Sequence, residues 1–145
     1  MGMGPISALS SFFIRCFDLS GRSRRSEFAW MLIIQTIALL LMVLTLGSIE
    51  GGFDSIDEEN LSAAGKVLSS VFGLIWLGTT IPWVTLSIRR FHDMGYTGWM
   101  VALFTGLWII PPIGALGSIV QFFWLLFGGG TPGVNAYAQD PRFSR

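Results

Sequence analysis

Two stretches of this chain run without a single charge for longer than a small soluble fold tolerates: residues 28–46, 19 in number, and residues 67–88, 22 in number. As helices rising about 1.5 Å per residue they extend roughly 28 Å and 33 Å, matching a hydrocarbon core of about 30 Å. The second holds Pro82 near its C-terminal end, which a membrane helix accepts where neighbours satisfy the freed carbonyl. Both are predicted spans. Composition agrees, since 52% of the 145 residues are hydrophobic and only 12% charged, against about a quarter charged in an average globular chain.

A third uncharged region, Met94 to Gln139, is apolar from about Trp99 to Phe127 and holds Pro111-Pro112 near its middle. Proline breaks a helix interior and pushes the preceding residue out of helical geometry. The pattern predicts a helical hairpin, with arms at 97–110 and 113–127, each short for a bilayer and sheltered by the longer helices or by local thinning. Its rival is one kinked span with the C-terminus on the opposite side.

Charge placement separates the two. Arg15, Arg22, Arg24 and Arg25 precede the first span; the loop "GSIEGGFDSIDEENLSAAGK" holds five acids and only Lys66; Arg89 and Arg90 follow the second span; Arg142 and Arg145 lie in the tail. Basic groups mark the cytoplasmic side. The expected thread is therefore four spans with both termini cytoplasmic, a multi-pass topology in a plasma membrane. Trp30, Trp83, Trp99 and Trp124 fall near the expected cytoplasmic helix ends, where indole sits well among head groups.

Residues 5–18 place Ile6, Leu9, Phe12, Phe13, Cys16 and Phe17 on one arc of a helix, opposite Ser7, Ser10, Ser11, Arg15 and Asp18. Such a segment is expected to lie on the membrane surface. The whole chain, 1–145, then reads as a single all-α membrane domain, with 128–145 as a cytoplasmic tail.

Three polar corners interrupt the apolar runs. "GRSRRSEF" leads into the first span, with Ser23 as an expected N-cap. Its arginines oppose the helix dipole, which points to another partner such as lipid phosphate. Glu27, at the edge of an apolar run, calls for a cation from another helix, and Arg89 or Arg90 is available. "RRFHDMGYTGWM" (89–100) ends the second span and turns, with Gly95 suited to left-handed backbone and Thr97 to capping the next helix. "GGGTPGVNAYAQDPRF" (128–143) predicts successive turns. It has no Lys-Ser/Thr to make a phosphate loop. A packed cap and a loose tail both fit it.

These corners carry a family resemblance. "GRSRRSEFAW", "RRFHDMGYTGWM" and "TPGVNAYAQDP" resemble, in order and separation, the domain of unknown function 805 family, which includes YhaH-like bacterial inner-membrane proteins. The resemblance covers about residues 12–141. It implies a small polytopic helical protein of the bacterial inner membrane, and it implies no particular biochemical activity. Matching positions are Gly21, Arg22, Arg25, Glu27, Phe28 and Trp30; Arg89, Arg90, His92, Asp93, Gly95, Gly98 and Trp99; and Pro132, Gly133, Asn135, Tyr137, Asp140 and Pro141. Thr97, Met100 and Ala138 depart from the pattern.

One cysteine, Cys16, excludes an intrachain disulfide and a Cys-based metal site, and a lone His excludes His-rich ligation. No metal, cofactor or catalytic residue is expected. Zero net charge and the lack of a basic aromatic-bearing face argue against nucleic acid. Arg22, Arg25, Glu27, Arg89, Arg90, His92 and Asp93 are the candidate site, either an anion- and lipid-binding face or a structural charge network. The expected partners are membrane lipids, anionic ones foremost, with a homo-oligomer or a protein partner left open. Two other readings stand beside it. One is a small transporter or channel component, although no span holds an ionisable group. The other is a lipid-head-group enzyme with His92 as base, oriented by Asp93 or Glu27.

Overall fold

The computed structural model describes residues 3–56 and 60–141; the acids at 57–59 and the arginines at 142 and 145 lie outside the described residues. Within them the chain is helical, without strands: α1 (Pro5–Ile14), α2 (Arg25–Glu50), α3 (Ala63–Asp93), α4 (Trp99–Gly106) and α5 (Pro111–Phe127), with single 3-10 turns at Phe53–Ser55 and Leu107–Ile109. The 26 residues of α2 and the 31 of α3 are long and apolar enough to cross a membrane. Their outer faces are apolar, with Leu40 56% and Leu74 70% exposed.

Two compact units share these long helices. One joins the described residues up to Met31 to those from Ile81 onward; the other is Leu32–Thr80. In the second, the Gln35 amide donates to the Thr79 hydroxyl at 3.3 Å, a polar contact of the kind that ties helices in an apolar medium. The Glu50 carboxylate accepts from the Ser62 hydroxyl at 2.6 Å. The hydroxyls of Thr36 and Thr80 turn back to their own helices, at Leu32 and Trp76.

The first unit is built around aromatic rings. Trp83 meets Phe12 of α1 and Phe28 of α2 edge-to-face, at 5.8 and 5.5 Å between centroids. Phe91 stacks on Phe104 and meets Trp124 edge-on, geometries favoured by the ring quadrupole. So Trp83 and Trp124 pack within the protein, whereas Trp99 is 81% exposed. Helix α1 buries Ala8 and Phe12 and leaves Ile6 and Phe13 exposed, as is Phe17 beyond its end.

Three local features differ from the sequence expectation. Pro111 and Pro112 do not form the hairpin bend but open α5. The first turn of a helix has no partner for its N–H groups, so proline loses nothing there. Ile110, ahead of them, is extended (φ −114°, ψ 97°), as pre-proline sterics require. The bend is made instead by the 3-10 turn, which cuts α4 to 8 residues. Thr97 is not the cap of α4; the helix begins after Gly98, and the Thr97 carbonyl accepts from Met100 N–H. Ser23 gives its hydroxyl to Glu27.

Across the bend, Trp108 Nε1 donates to the Ser118 hydroxyl at 3.0 Å, and a Cβ on Gly114 would stand 2.7 Å from Trp108 Cα. Gly114 and Ser118, four apart on α5, thus both serve contacts inside the chain.

Candidate functional site

Helix α3 runs on past the apolar stretch through Arg89, Arg90, Phe91, His92 and Asp93 before it stops. That extra turn decides the chemistry, because residues three apart in a helix share a face. Arg90 and Asp93 meet there, Nη1 to Oδ2, at 2.6 Å. Asp93 Oδ1 accepts from Arg22 Nε at 2.9 Å. One carboxylate is thus bracketed by two guanidinium groups, and all three residues are buried.

Every guanidinium nitrogen of both arginines has a protein partner. Arg90 Nε donates to the Leu125 carbonyl at 2.9 Å and Nη2 to the Gly128 carbonyl at 2.5 Å, at the end of α5. Arg22 Nη1 donates to the Gly133 carbonyl at 2.7 Å, and its Nη2 bonds the Thr131 carbonyl. The planar fork of arginine suits this use, since its five donors point in fixed directions. The tail is also held by backbone: Thr131 N–H donates to the Asp93 carbonyl at 2.8 Å, and the Asn135 amide donates to the His92 carbonyl at 2.8 Å. Of the two sequence readings of residues 128–141, the packed cap is the one observed. Asp140 is buried within it.

Arg89 serves a second, looser cluster. Its Nη2 lies 3.6 Å from Glu27 Oε1, so Arg89 and not Arg90 is the cation beside Glu27. That carboxylate also accepts from the Ser11 hydroxyl of α1 at 2.8 Å and the Ser23 hydroxyl at 2.5 Å. Arg89 is 0% exposed, and among the described residues its Nε and Nη1 have no hydrogen-bond partner. The Arg89 carbonyl accepts from Ser23 N–H at 3.1 Å. Nearby, the Ser20 hydroxyl and then Arg15 hold the Asp18 carboxyl below its ordinary value.

Of the remaining candidates, His92 lays its ring flat on Tyr137, at 3.9 Å and 3°, with Nδ1 3.3 Å from the Gly21 carbonyl. Arg25 is exposed. The structure therefore brings Arg22, Arg90 and Asp93 into one cluster and Arg89 and Glu27 into another, places His92 at the edge under Tyr137, and leaves Arg25 outside. Sequence reasoning did not single out Ser11, Thr131 or Gly130. Gly130 carried a signal in the triple glycine: a Cβ there would overlap the Asp93 carboxylate. Ser11 carried none, since it sits on the polar arc of α1 like its neighbours. Among the described residues, no group of three or more His, Cys, Asp or Glu side chains could hold a metal ion.

The family profile described as "Protein of unknown function (DUF805)" matches residues 16–139. The chain is similar to inner membrane protein YhaH of Escherichia coli strain K12, 30% identical over 122 residues, covering 84% of this chain and 85% of the relative. It is also similar to inner membrane protein YhaI of the same strain, 32% identical over 124 residues, covering 86% of each. No solved structure gives a significant match.

Proposed function

This chain belongs to the DUF805 family, and on that premise we propose that it is a non-enzymatic inner-membrane protein whose cytoplasmic side is a clamped cap that meets anionic lipid through Arg25. In this reading the thread has four spans, α2, α3 and the two arms of the short hairpin, and both termini are cytoplasmic. The acidic first loop lies outside, following the bias of basic residues toward the cytoplasm.

The observation that carries the thread is the reach of Arg90. It ends α3, yet it binds the carbonyls of Leu125 and Gly128 at the end of α5. A hairpin that left and did not come back would put those carbonyls on the far side of the bilayer. Closing the hairpin favours an even number of crossings.

The lipid assignment follows from subtraction. Arg22, Arg89 and Arg90 are buried with protein partners, so a phosphate reaching them would first have to break the cap. Arg25 stands exposed at the start of α2, where a juxtamembrane cation is worth about 1 kcal/mol toward an anionic leaflet. Among the described residues no carboxylate orients His92, whose neighbour Asp93 is turned to Arg22 and Arg90, and this favours a non-catalytic role.

Two measurements test the reading. Cysteines at Asp54 and Val134, in a Cys16→Ser background, are treated with an impermeant maleimide on intact cells; Asp54→Cys is expected to label and Val134→Cys only after lysis. Labelling of Val134→Cys in intact cells overturns the thread. In native mass spectrometry, Arg25→Gln is expected to lower co-purified phosphatidylglycerol several-fold with the fold retained, and unchanged occupancy removes the lipid assignment.

A further inference from the structure

Beside the clamp, a cavity of about 900 Å³ opens between α3 and α4, at the upper end of the range that binds small ligands. Its long wall is apolar. Val84 and Ile88 on α3 face Ala102 and Gly106 on α4, each pair four apart and so on one helix face. Small side chains on α4 leave the space open. Among the described residues, no Lys, Arg, Asp or Glu lines it.

One end is different. His92, Thr97 and Tyr137 gather there. His92 is 9% exposed, and its Nδ1 faces the Gly21 carbonyl. A carbonyl only accepts, so in the neutral imidazole Nδ1 carries the proton and Nε2 the lone pair. Nε2 lies on the side of Gly98, another lining residue; a Cβ built there would be 3.3 Å from it. Among the described residues no donor bonds Nε2, and the stacked Tyr137 ring fixes the plane of the imidazole. The cavity thus offers a hydrocarbon-sized apolar trough that ends in the held imidazole acceptor of His92, beside the lining residues Thr97 and Tyr137.

We propose that this cavity binds a single-chain lipid with an uncharged, hydroxyl-bearing head, its chain along Val84, Ile88, Ala102 and Gly106 and its hydroxyl donating to His92 Nε2. An ionised head is disfavoured. Burying a charge needs a partner; Arg22 and Arg90 are already engaged inside the protein, and Arg89, buried beside Glu27, is not among the residues lining the cavity. This site is separate from Arg25 and stands whether or not Arg25 meets phosphatidylglycerol.

The test uses the full chain in nanodiscs of phosphatidylethanolamine and phosphatidylglycerol. Three diazirine-bearing C18 probes are photolysed and mapped by mass spectrometry: a 1-monoacylglycerol, the fatty acid methyl ester and the free fatty acid. The monoacylglycerol is expected to label 84–88 and 98–106 at least fivefold more than the other two, and unlabelled 1-oleoylglycerol is expected to compete. His92→Phe removes the acceptor and Ala102→Trp fills the trough without touching the clamp; each is expected to abolish the excess. Equal labelling by all three probes, without competition, means surrounding bilayer lipid only and refutes the proposal. Stronger labelling by the free fatty acid refutes the uncharged head. Should His92→Phe fail to fold, persistence of the excess in Ala102→Trp is by itself decisive against the site.

Discussion

Arg22 and Asp93 stand 71 positions apart in the chain and 2.9 Å apart in the fold, both buried. Between them run both long helices. The contact joins the segment before α2 to the end of α3, and through Arg90 and the carbonyls of Leu125 and Gly128 it joins the end of α5 as well. A buried ion pair is poor evidence of stability in itself, because desolvation offsets much of the attraction. Its use here is to specify which ends meet, since a guanidinium left inside without its carboxylate costs far more than the pair contributes.

Asp93→Asn leaves two buried cations facing one another across a neutral amide. The expected cost is about 3–5 kcal/mol, the range for removing one partner of a buried pair. It is read as a lower apparent melting temperature in detergent, with chymotrypsin cleaving after Tyr137 in the tail earlier than in the parent protein.

Gly130→Ala adds one methyl group against the Asp93 carboxylate. Overpacking of this kind costs about 1–3 kcal/mol. Hydrogen exchange is expected to quicken at the backbone amides of Thr131, which donates to the Asp93 carbonyl, and of Asn135, which donates to the Ala138 carbonyl within the tail, while α2 residues 32–46 keep parent rates.

Glu27→Ala and Ser11→Ala separate two roles in the second cluster. Removing Glu27 strands Arg89, which is fully buried and already has two donors without partners, and is expected to cost about 3–5 kcal/mol. Removing the Ser11 hydroxyl loses one bond to a carboxylate, roughly 1.5–3 kcal/mol. Comparing their melting temperatures checks the order; a larger effect from Ser11→Ala contradicts it.

Gly114→Val tests the hairpin. A side chain there meets the backbone of Trp108, which cannot yield as a flexible side chain could. The expected outcome is loss of the Trp108–Ser118 contact and a shift in tryptophan emission, whereas Gly73→Val, at a position with open space around it, is expected to leave emission and stability near the parent values.

Much of this fold is written in hydropathy. Charge-free runs of bilayer length marked α2 and α3, and Pro111-Pro112 marked a break between the two arms of the hairpin. What composition could not show was how far α3 continues. Residues 89–93 read as the end of a span and a turn, because sequence carries no sign that a glycine-rich segment forty residues later supplies carbonyls to Arg22 and Arg90. The tail, 128–141, has no periodicity at all, so its packing rests on Arg22, Arg90 and Asp93, which become partners only in three dimensions. Glu27 was legible as a carboxylate in need of a cation, but choosing Arg89 over Arg90 required the helix phase. The proline pair was read as the bend itself, since a break and a helix start look alike until the preceding 3-10 turn is seen.

The central claim is that Arg22 and Asp93 act as one unit, and a double-mutant cycle measures this directly. Apparent unfolding free energies are compared for the parent, Arg22→Gln, Asp93→Asn and the double variant, in one detergent at one salt concentration. Coupled buried partners are expected to show an interaction energy of about 0.5–3 kcal/mol, so the double variant loses less than the sum of the single losses. Strict additivity would mean that the two side chains do not sense each other, and the clamp would not exist.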